Sequence, residues 1–586
     1  MPETPTKAEI LRLQRAINWS YRQLKPFREN DMQAMQQYVG SHYSEHGSSK
    51  KVPFSLMELA ISTYTQRLSG GRPRVLATTP HRQLKAQAAK LKRGINNLLE
   101  EIDFHETVAE VVQAAFFSMG ILKTGLQVRG SMEWNGFMHD VTQPFADSVT
   151  LDNWVHDMAA ARWDKIQFCG DRYCIDLEDG KDIFKHGDNL KALSYTGETQ
   201  ADRTNTLSKG SDYNREDYRE QTEVWDVWDP RKNIIIVLAA GEGDMAVEEN
   251  GEYIDVADWN GPERGPYRLL RFNPVRGNIM PVPPVGLWRD MHELANNIMR
   301  KLDRQARRQK SVYGVRPGGE PDGNTAMTAN DGDMVKLMDP KNVTKLDFPG
   351  VDPQMLAFLI QLKNMASWLW GNLDALGGLS PQADTLGQDR LLSASASQRL
   401  VMMQNTVLTF TTGSVKGLGE LLYTDPFIVL PQTKRYANIE VPVLWTPEDR
   451  EADFIQYNFT IEPYSLQYRS PSERLETIRQ TMLQIAAPFA QQMMGQGVDI
   501  DFEKLFRIIG EYTGMDEMND IMIYTNPRHT EEGPVRAMQS PVTNRINTRV
   551  NRPGATSQGK DEAMVNNLMG FGQQPAQSAQ MARPTG

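Results

Sequence analysis

A chain of 586 residues is long enough for more than one hydrophobic core. Its 40% hydrophobic and 24% charged residues are ordinary globular composition, which excludes a low-complexity or membrane-embedded chain as a whole. A formal net charge of -10 excludes a polyanion binder acting through bulk charge, so any contact with nucleic acid must come from local patches.

In chain order, the N-terminal part reads as helical. Ala8–Tyr38 forms a first helical segment broken at Pro26, Ser55–Ser69 a second ending at Gly70-Gly71, and His81–Met119 a long third closed by Gly120 as a left-handed cap. From Thr124 the period shifts toward two. Strands are predicted at Thr124–Arg129, Ser148–Trp154, Glu223–Trp228, Asn233–Leu238 and Tyr267–Phe272. Leu190–Arg219 reads as a polar surface excursion, and Gly241–Asp244 as a turn.

A long helix follows over Val285–Ser311, roughly 40 Å at about 1.5 Å per residue. Leu287, Met291, Leu294, Ile298, Leu302 and Ala306 make one apolar stripe, and Pro283-Pro284 stand where missing N–H groups cost least. Its end is basic: Arg300, Lys301, Arg304, Arg307, Arg308 and Lys310 face the single acid Asp303. Two readings stand: a solvated face, or a positive collar that touches phosphates. A Gly-rich insert holds two strand-like runs, Met334–Met338 and Val343–Phe348. A second helix resumes at Pro353, so the pair suggests an antiparallel hairpin capped at its tip.

After a polar stretch, Ser380 to Gln388, a third helix begins at Asp389 and places Val401, Leu408, Val415 and Leu422 at sevenfold spacing. Gly417-x-Gly419 within it marks a kink or close packing. Strands return at Ile439–Leu444 and Asp453–Glu462. Ser470, Pro471 and Glu473 make a capping box for a helix over Ser472–Met494, a further helix covers Asp501–Thr513, and the composition beyond Thr525 is that of a disordered tail.

The chemistry-bearing motifs are missing. Gly180-Lys181 and Gly559-Lys560 are each followed by Asp, so there is no phosphate-cradling loop, and neither H-E-x-x-H nor G-x-S-x-G occurs. Asp331-Gly332-Asp333 is a turn fragment. Asp147, Asp152, Asp157 and Asp164 form a loose acidic series, either solvated strand ends and turns or a metal site of the kind nucleases use. Cys169 and Cys174, the two cysteines, lack the second ligand pair of a zinc site and read as reduced thiols. No catalytic residue, cofactor or metal site is expected. The start, Met1 to Ile10, lacks the apolar centre of a secretory signal, and the longest apolar run, Ile234–Ala240, is too short to cross a bilayer. A soluble protein made in a reducing cytoplasm is expected, with no membrane partner.

The order of elements resembles that of tailed-bacteriophage portal proteins, the head-to-tail connectors. Pro281-Val282-Pro283-Pro284-Val285-Gly286, with Trp288-Arg289-Asp290 and Asn296-Asn297, resembles the stretch leading into the family's first stem helix. Asp384-Thr385-Leu386-Gly387-Gln388-Asp389-Arg390 resembles its tunnel-loop region, although the usual Thr-Ala-x-Glu-like version is absent. Val149–Asp157 resembles a wing strand.

The resemblance implies an α+β, portal-like fold with a helical stem hairpin, a β-rich wing, a small α/β clip and a helical crown. Residues 1–284 would be N-terminal helices and wing, 285–311 and 353–376 the stem, 312–352 the clip, and 377–388 the tunnel loop. Residues 389–469 would be the long helix with wing strands, 470–524 the crown, and 525–586 the tail. It further implies a ring of this chain, typically a dodecamer, at one vertex of a virion capsid, assembled in the host cytoplasm. Double-stranded DNA is then packaged and ejected through its channel.

The implied partners are the terminase large subunit, head-tail adaptor and tail proteins, and major capsid and scaffold proteins. Implied DNA-channel residues are Arg300, Lys301, Arg304, Arg307, Arg308 and Lys310. The tunnel loop contributes Ser380, Gln382, Asp384, Thr385 and Gln388, and the clip offers Tyr313, Arg316, Lys336, Lys341 and Lys345 to partners. The alternatives are a metal-dependent nucleic-acid-processing enzyme, using the Asp147–Asp164 series, and a collar or tail-adaptor protein without a DNA channel.

Overall fold

A computed structural model describes residues 5–40, 54–134, 137–192, 220–241, 245–330, 334–348, 350–371, 386–424, 430–436, 439–445, 454–461 and 465–466. The chain divides into two compact units, one of Met1–Arg435 with Glu440–Tyr468, the other of Tyr436–Ile439 with Arg469–Gly586. The Ser470 capping box, the two C-terminal helices, the tail and Asp331–Asp333 lie outside the described residues.

The first helix, α1 (Lys7–Val39), starts with a capping box in which Glu9 N–H donates to Thr6 and the Glu9 carboxylate accepts from Thr6 N–H. It runs unbroken through Pro26. An interior proline costs about 3 kcal/mol, and burial of Ile17, Tyr21 and Leu24 before it and Ala34 after it offsets that loss. The expected break at Pro26 is thus a tertiary override of local preference.

Next come α2 (Leu56–Ser69), β1 (Val75–Thr78), α3 (Lys85–Glu101) and α4 (Phe104–Phe117). The single helix expected over 81–119 is two helices. Asp103 sits at φ 47°, a left-handed conformation that Asp tolerates, and the chain turns there. Gly120 is not a left-handed cap. It opens β2 (Gly120–Trp134), and a Cβ at this position would lie 2.3 Å from Val111 O, so glycine lets the strand press onto α4.

β2 pairs along its whole length with β3 (Phe137–Val149), with a bulge between Val128 and Gly130. The strand expected over 148–154 is really the end of β3, a 3-10 turn at Leu151–Asn153, and β4 (Trp154–His156). β4 joins an antiparallel sheet with β5 (Cys169–Asp176), β6 (Gln221–Asp229), β7 (Ile234–Ala239) and β8 (Asp255–Asp258), in that order. A short helix, α5 (Leu177–Ile183), follows β5. β9 (Tyr267–Leu270) pairs with β2, completing a three-stranded sheet.

Where the two sheets meet, Lys123 of β2 sits between Asp171 of β5 (2.7 Å) and Asp226 of β6 (2.8 Å), all three largely shut from solvent. Tyr267 donates to Asp171 and Tyr173 donates to Asp226. The Arg172–Glu223 pair (3.1 Å) is buried nearby, and Arg172 also donates to Asn153 Oδ1 (2.7 Å).

α1 packs on the five-stranded sheet, with Tyr21 edge-on to Trp225. Asn18 accepts from the N–H groups of Ala246 and Val247 and donates to Val247 O, so its amide closes the loop before β8. Asp31 in the same helix faces Asp152 and Ser118. Burial, with the Asp152 charge, pushes its carboxyl up to about 7. A raised carboxyl favours folding while protonated, and that contribution is lost as pH rises from about 4 to about 7. Asp31→Asn should therefore raise Tm by several degrees at pH 8 and leave it nearly unchanged at pH 4, measured by thermal melts across that range.

The hairpin follows. α6 (Pro284–Arg308) and α8 (Pro353–Leu369) pack together, joined by an insert of β10 (Lys310–Val315), α7 (Glu320–Thr328) and β11 (Val343–Phe348). β10 and β11 pair antiparallel from Lys310↔Phe348 to Val315↔Val343. The helix expected to reach Ser311 thus stops at Arg308 and turns into a strand. The strand expected at Met334–Met338 is absent, because the N–H groups of Met338 and Asp339 donate to the buried Asp322 carboxylate and fold that segment onto α7.

The long helix α9 (Leu386–Thr424) begins three residues earlier than expected. Its buried face is Leu400, Val407, Thr411, Ser414, Leu418 and Leu421, with Val415 and Leu422 beside it, while Val401 is exposed. Gly419 lets it close on α3, where a Cβ would stand 3.0 Å from Ile95. β12 (Leu430–Tyr436) pairs with β13 (Ile439–Trp445), and β14 (Asn458–Ile461) pairs with β1. The architecture is α+β. Among the described residues no helix is long and apolar enough to cross a membrane.

Candidate functional site

The base of the hairpin is anchored by aromatic packing. Trp288 of α6 stacks on Tyr64 of α2 (centroids 5.9 Å) and meets Trp370 just after α8 (5.5 Å). Tyr64 O–H donates to Trp370 O. About two turns on, Asn296 holds the backbone of Phe54, accepting from its N–H at 3.0 Å and donating to its O at 3.2 Å. His292 is buried against Asn296. Burial, with the Arg300 charge, holds its imidazole down to about 4, so it is neutral at pH 7.

The buried stripe of α6 is therefore Val285, Trp288, His292, Ala295, Ile298 and Leu302. Leu287 and Leu294, expected in the core, are exposed, Leu287 at 63%. The signal that separates the two faces is the pair of polar-capable residues His292 and Asn296, which share the face of Trp288 at helical spacing. Leu287 and Leu294 lie at the margin of that stripe, on its exposed side.

α8 buries only Leu359, Leu362 and Ala366. Leu356, Phe358, Ile360, Met365, Leu369 and Trp368, the last at 69%, are open to solvent. A helix that is apolar around most of its circumference needs cover on more than one side.

The basic residues lie at the far end of α6. Arg300 donates to Asn297 Oδ1 (2.7 Å), and Arg304 Nε donates to Arg300 O (3.3 Å). Arg307 Nε donates to both oxygens of Asp303 at 3.1 Å. That pair is exposed and holds little energy. Lys301, Arg304, Arg307 and Arg308 are exposed on the last turns, and Arg300 is half-buried. Lys310 opens β10. The helix thus gathers Arg300, Arg304, Arg307 and Arg308 at neighbouring positions beside the insert.

In the insert, Tyr313 of β10 is directly opposite Lys345 of β11, and Arg316, Lys336 and Lys341 are exposed. Ser380, Gln382, Asp384 and Thr385 lie outside the described residues, and Gln388 is in the first turn of α9.

The four carboxylates of the acidic series are not brought together. Asp147 is opposite Lys123 on neighbouring strands, Asp152 faces Asp31, and Asp164 pairs with Arg162 at the surface. Asp157 accepts from the N–H groups of Ala159 and Gln167, closing its own loop. Among the described residues no group of three or more His, Cys, Asp or Glu side chains is placed to hold a metal ion. Cys169 and Cys174 are free thiols on one strand, the first buried and the second exposed. No protein-family model matches the chain, and no curated protein is similar enough to be reported as a relative.

Proposed function

We propose that the chain is the repeating subunit of a phage portal ring, the channel through which double-stranded DNA enters and leaves a capsid. The observation that carries this reading is the hairpin: two packed helices with a small α/β insert at the tip, whose second helix leaves Phe358, Ile360, Met365 and Trp368 uncovered. A neighbouring copy, placed side to side by a rotation that closes, would bury them. In this reading the subunit is a structural protein of the virion, not an enzyme. The insert docks the terminase motor and later the head-tail adaptor, and the β-rich part meets capsid and scaffold proteins.

A ring would repeat the arginines of α6 as a belt, while the net charge of -10 keeps the rest of the channel from gripping phosphate. Each phosphate contact adds about 0.9 to the salt slope of binding. Arg304→Gln with Arg307→Gln should lower DNA retention in filled heads and flatten its salt dependence, with assembly intact. Unchanged retention and slope would assign these arginines to contacts between subunits.

A further inference from the structure

A second concentration of positive charge lies far from the hairpin in sequence. Between Gly70 and Leu99 stand seven Lys and Arg residues and no Asp or Glu, in a chain whose acids outnumber its bases. They fall on the segment leading into β1, the turn after it, and α3. Arg72 and Arg74 are exposed while Pro73 and Val75 between and after them are buried, so both project from one side of an extended segment. Arg82 and Lys85 are exposed at the start of α3, against the direction that the helix dipole favours, so they are not there to cap it.

Asn96 fixes the unit. It accepts from Val75 N–H at 2.9 Å and donates to Val75 O at 3.1 Å. Lys92 and Arg93 stand four and three residues before Asn96 on the same helix face, so the clamp brings Arg74 beside them. Among the described residues Arg72, Arg82, Lys85, Lys92 and Arg93 have no ion-pair partner.

What the patch lacks identifies its partner class. The apolar residues of α3, Leu91, Ile95 and Leu98, are buried, and no large hydrophobic side chain of residues 70–99 is exposed. A protein partner is held by an apolar centre within a polar rim, and single-stranded nucleic acid by exposed aromatic platforms. This surface has neither. It offers cations, with Gln83 and Thr78 among them as neutral donors, which is the equipment for phosphate oxygens.

We infer that the β1–α3 face is a nucleic-acid-binding surface that neutralises the phosphate backbone of duplex DNA without reading its sequence. It is separate from the arginines of α6 and does not depend on the ring reading, because the readout is duplex binding by whatever species the full chain forms. The test is fluorescence anisotropy of a short labelled duplex over a salt series. It compares the parent, the variant Arg72→Gln, Arg74→Gln, Arg82→Gln, Lys85→Gln, and a charge-conserving variant in which the arginines become Lys and Lys85 becomes Arg.

The glutamine variant should bind about tenfold or more weakly, with a salt slope smaller by about three to four. The charge-conserving variant should keep the parent slope, and all three should melt alike. Two mixed-sequence duplexes of different composition should bind equally. Unchanged affinity and slope in the glutamine variant would overturn the inference. So would a parent that binds poly-glutamate but not duplex, which would assign the face to an acidic protein. Arg304→Gln with Arg307→Gln, run alongside, separates the two surfaces: if that variant alone loses the slope, the β1–α3 face is not the one that binds.

Discussion

Lys123→Met is expected to destabilise the protein by about 3–5 kcal/mol, the cost of leaving buried charge without its partner. Lys123 is the cation between Asp171 and Asp226, and Tyr267 and Tyr173 already use their hydroxyls on the same two carboxylates. Without the ammonium, two carboxylates face each other in a site that burial already makes hostile to charge; burial pushes Asp171 up even with Lys123 present.

The sign with pH follows. A carboxylate raised in the folded state, as Asp171 is, favours folding while protonated and opposes it once ionised, so the defect should grow as pH rises above the ordinary carboxylate range. Adding Asp171→Asn and Asp226→Asn to Lys123→Met should recover much of the loss at pH 7 and little at pH 4. Denaturant titrations at the two pH values measure both effects. A pH-independent loss would mean that lost packing of the lysine stem dominates.

Phe358→Glu with Trp368→Glu is expected to abolish higher assembly while leaving the fold of the subunit intact. Both side chains are exposed on α8, so charge there should change the melting of the single chain by only a few tenths of a kcal/mol. At a closed interface the same change buries unpaired carboxylates at every repeat of the ring, and large aromatic anchors at such a centre are worth about 2 kcal/mol or more each. Sedimentation velocity reads the assembly and circular dichroism the fold. Assembly that persists in the variant would place the subunit contact on another face.

The difference between what sequence patterning reaches and what it misses is physical. Helix starts were legible where a proline marks them, Pro283-Pro284 at α6 and Pro353 at α8; the Thr6–Glu9 box at α1 and the Asp352 cap at α8, which accepts from Gln354 N–H, show only in the structure. Faces were less legible. On α6 both sides carry leucines, and only the partners of His292 and Asn296 decide which is inside. On α9 the sevenfold row is buried at Val415 and Leu422 but exposed at Val401, where the buried position is its neighbour Leu400.

Long-range strand pairing left no local trace. β1 and β14 are almost four hundred positions apart in the sequence, and β5 alternates too weakly to stand out. The interior proline at Pro26 and the left-handed Asp103 were opposite surprises, a break that packing overrides and a break that no glycine announces. The basic end of α6 was plain from sequence. The cations from Arg72 to Arg93 went unread as a patch, because only the Asn96 clamp on Val75 shows that the approach to β1 and α3 lie together.

The central claim is that this chain closes on itself into a ring around a DNA-sized channel. Native mass spectrometry of the purified full-length protein, with an end-on negative-stain view of the same sample, tests it directly. The account predicts one dominant closed species, roughly 0.8 MDa if twelve chains of 66.3 kDa assemble, with a central hole in the end-on image. A stable monomer at high concentration, both alone and after co-expression with a scaffold protein, would contradict it.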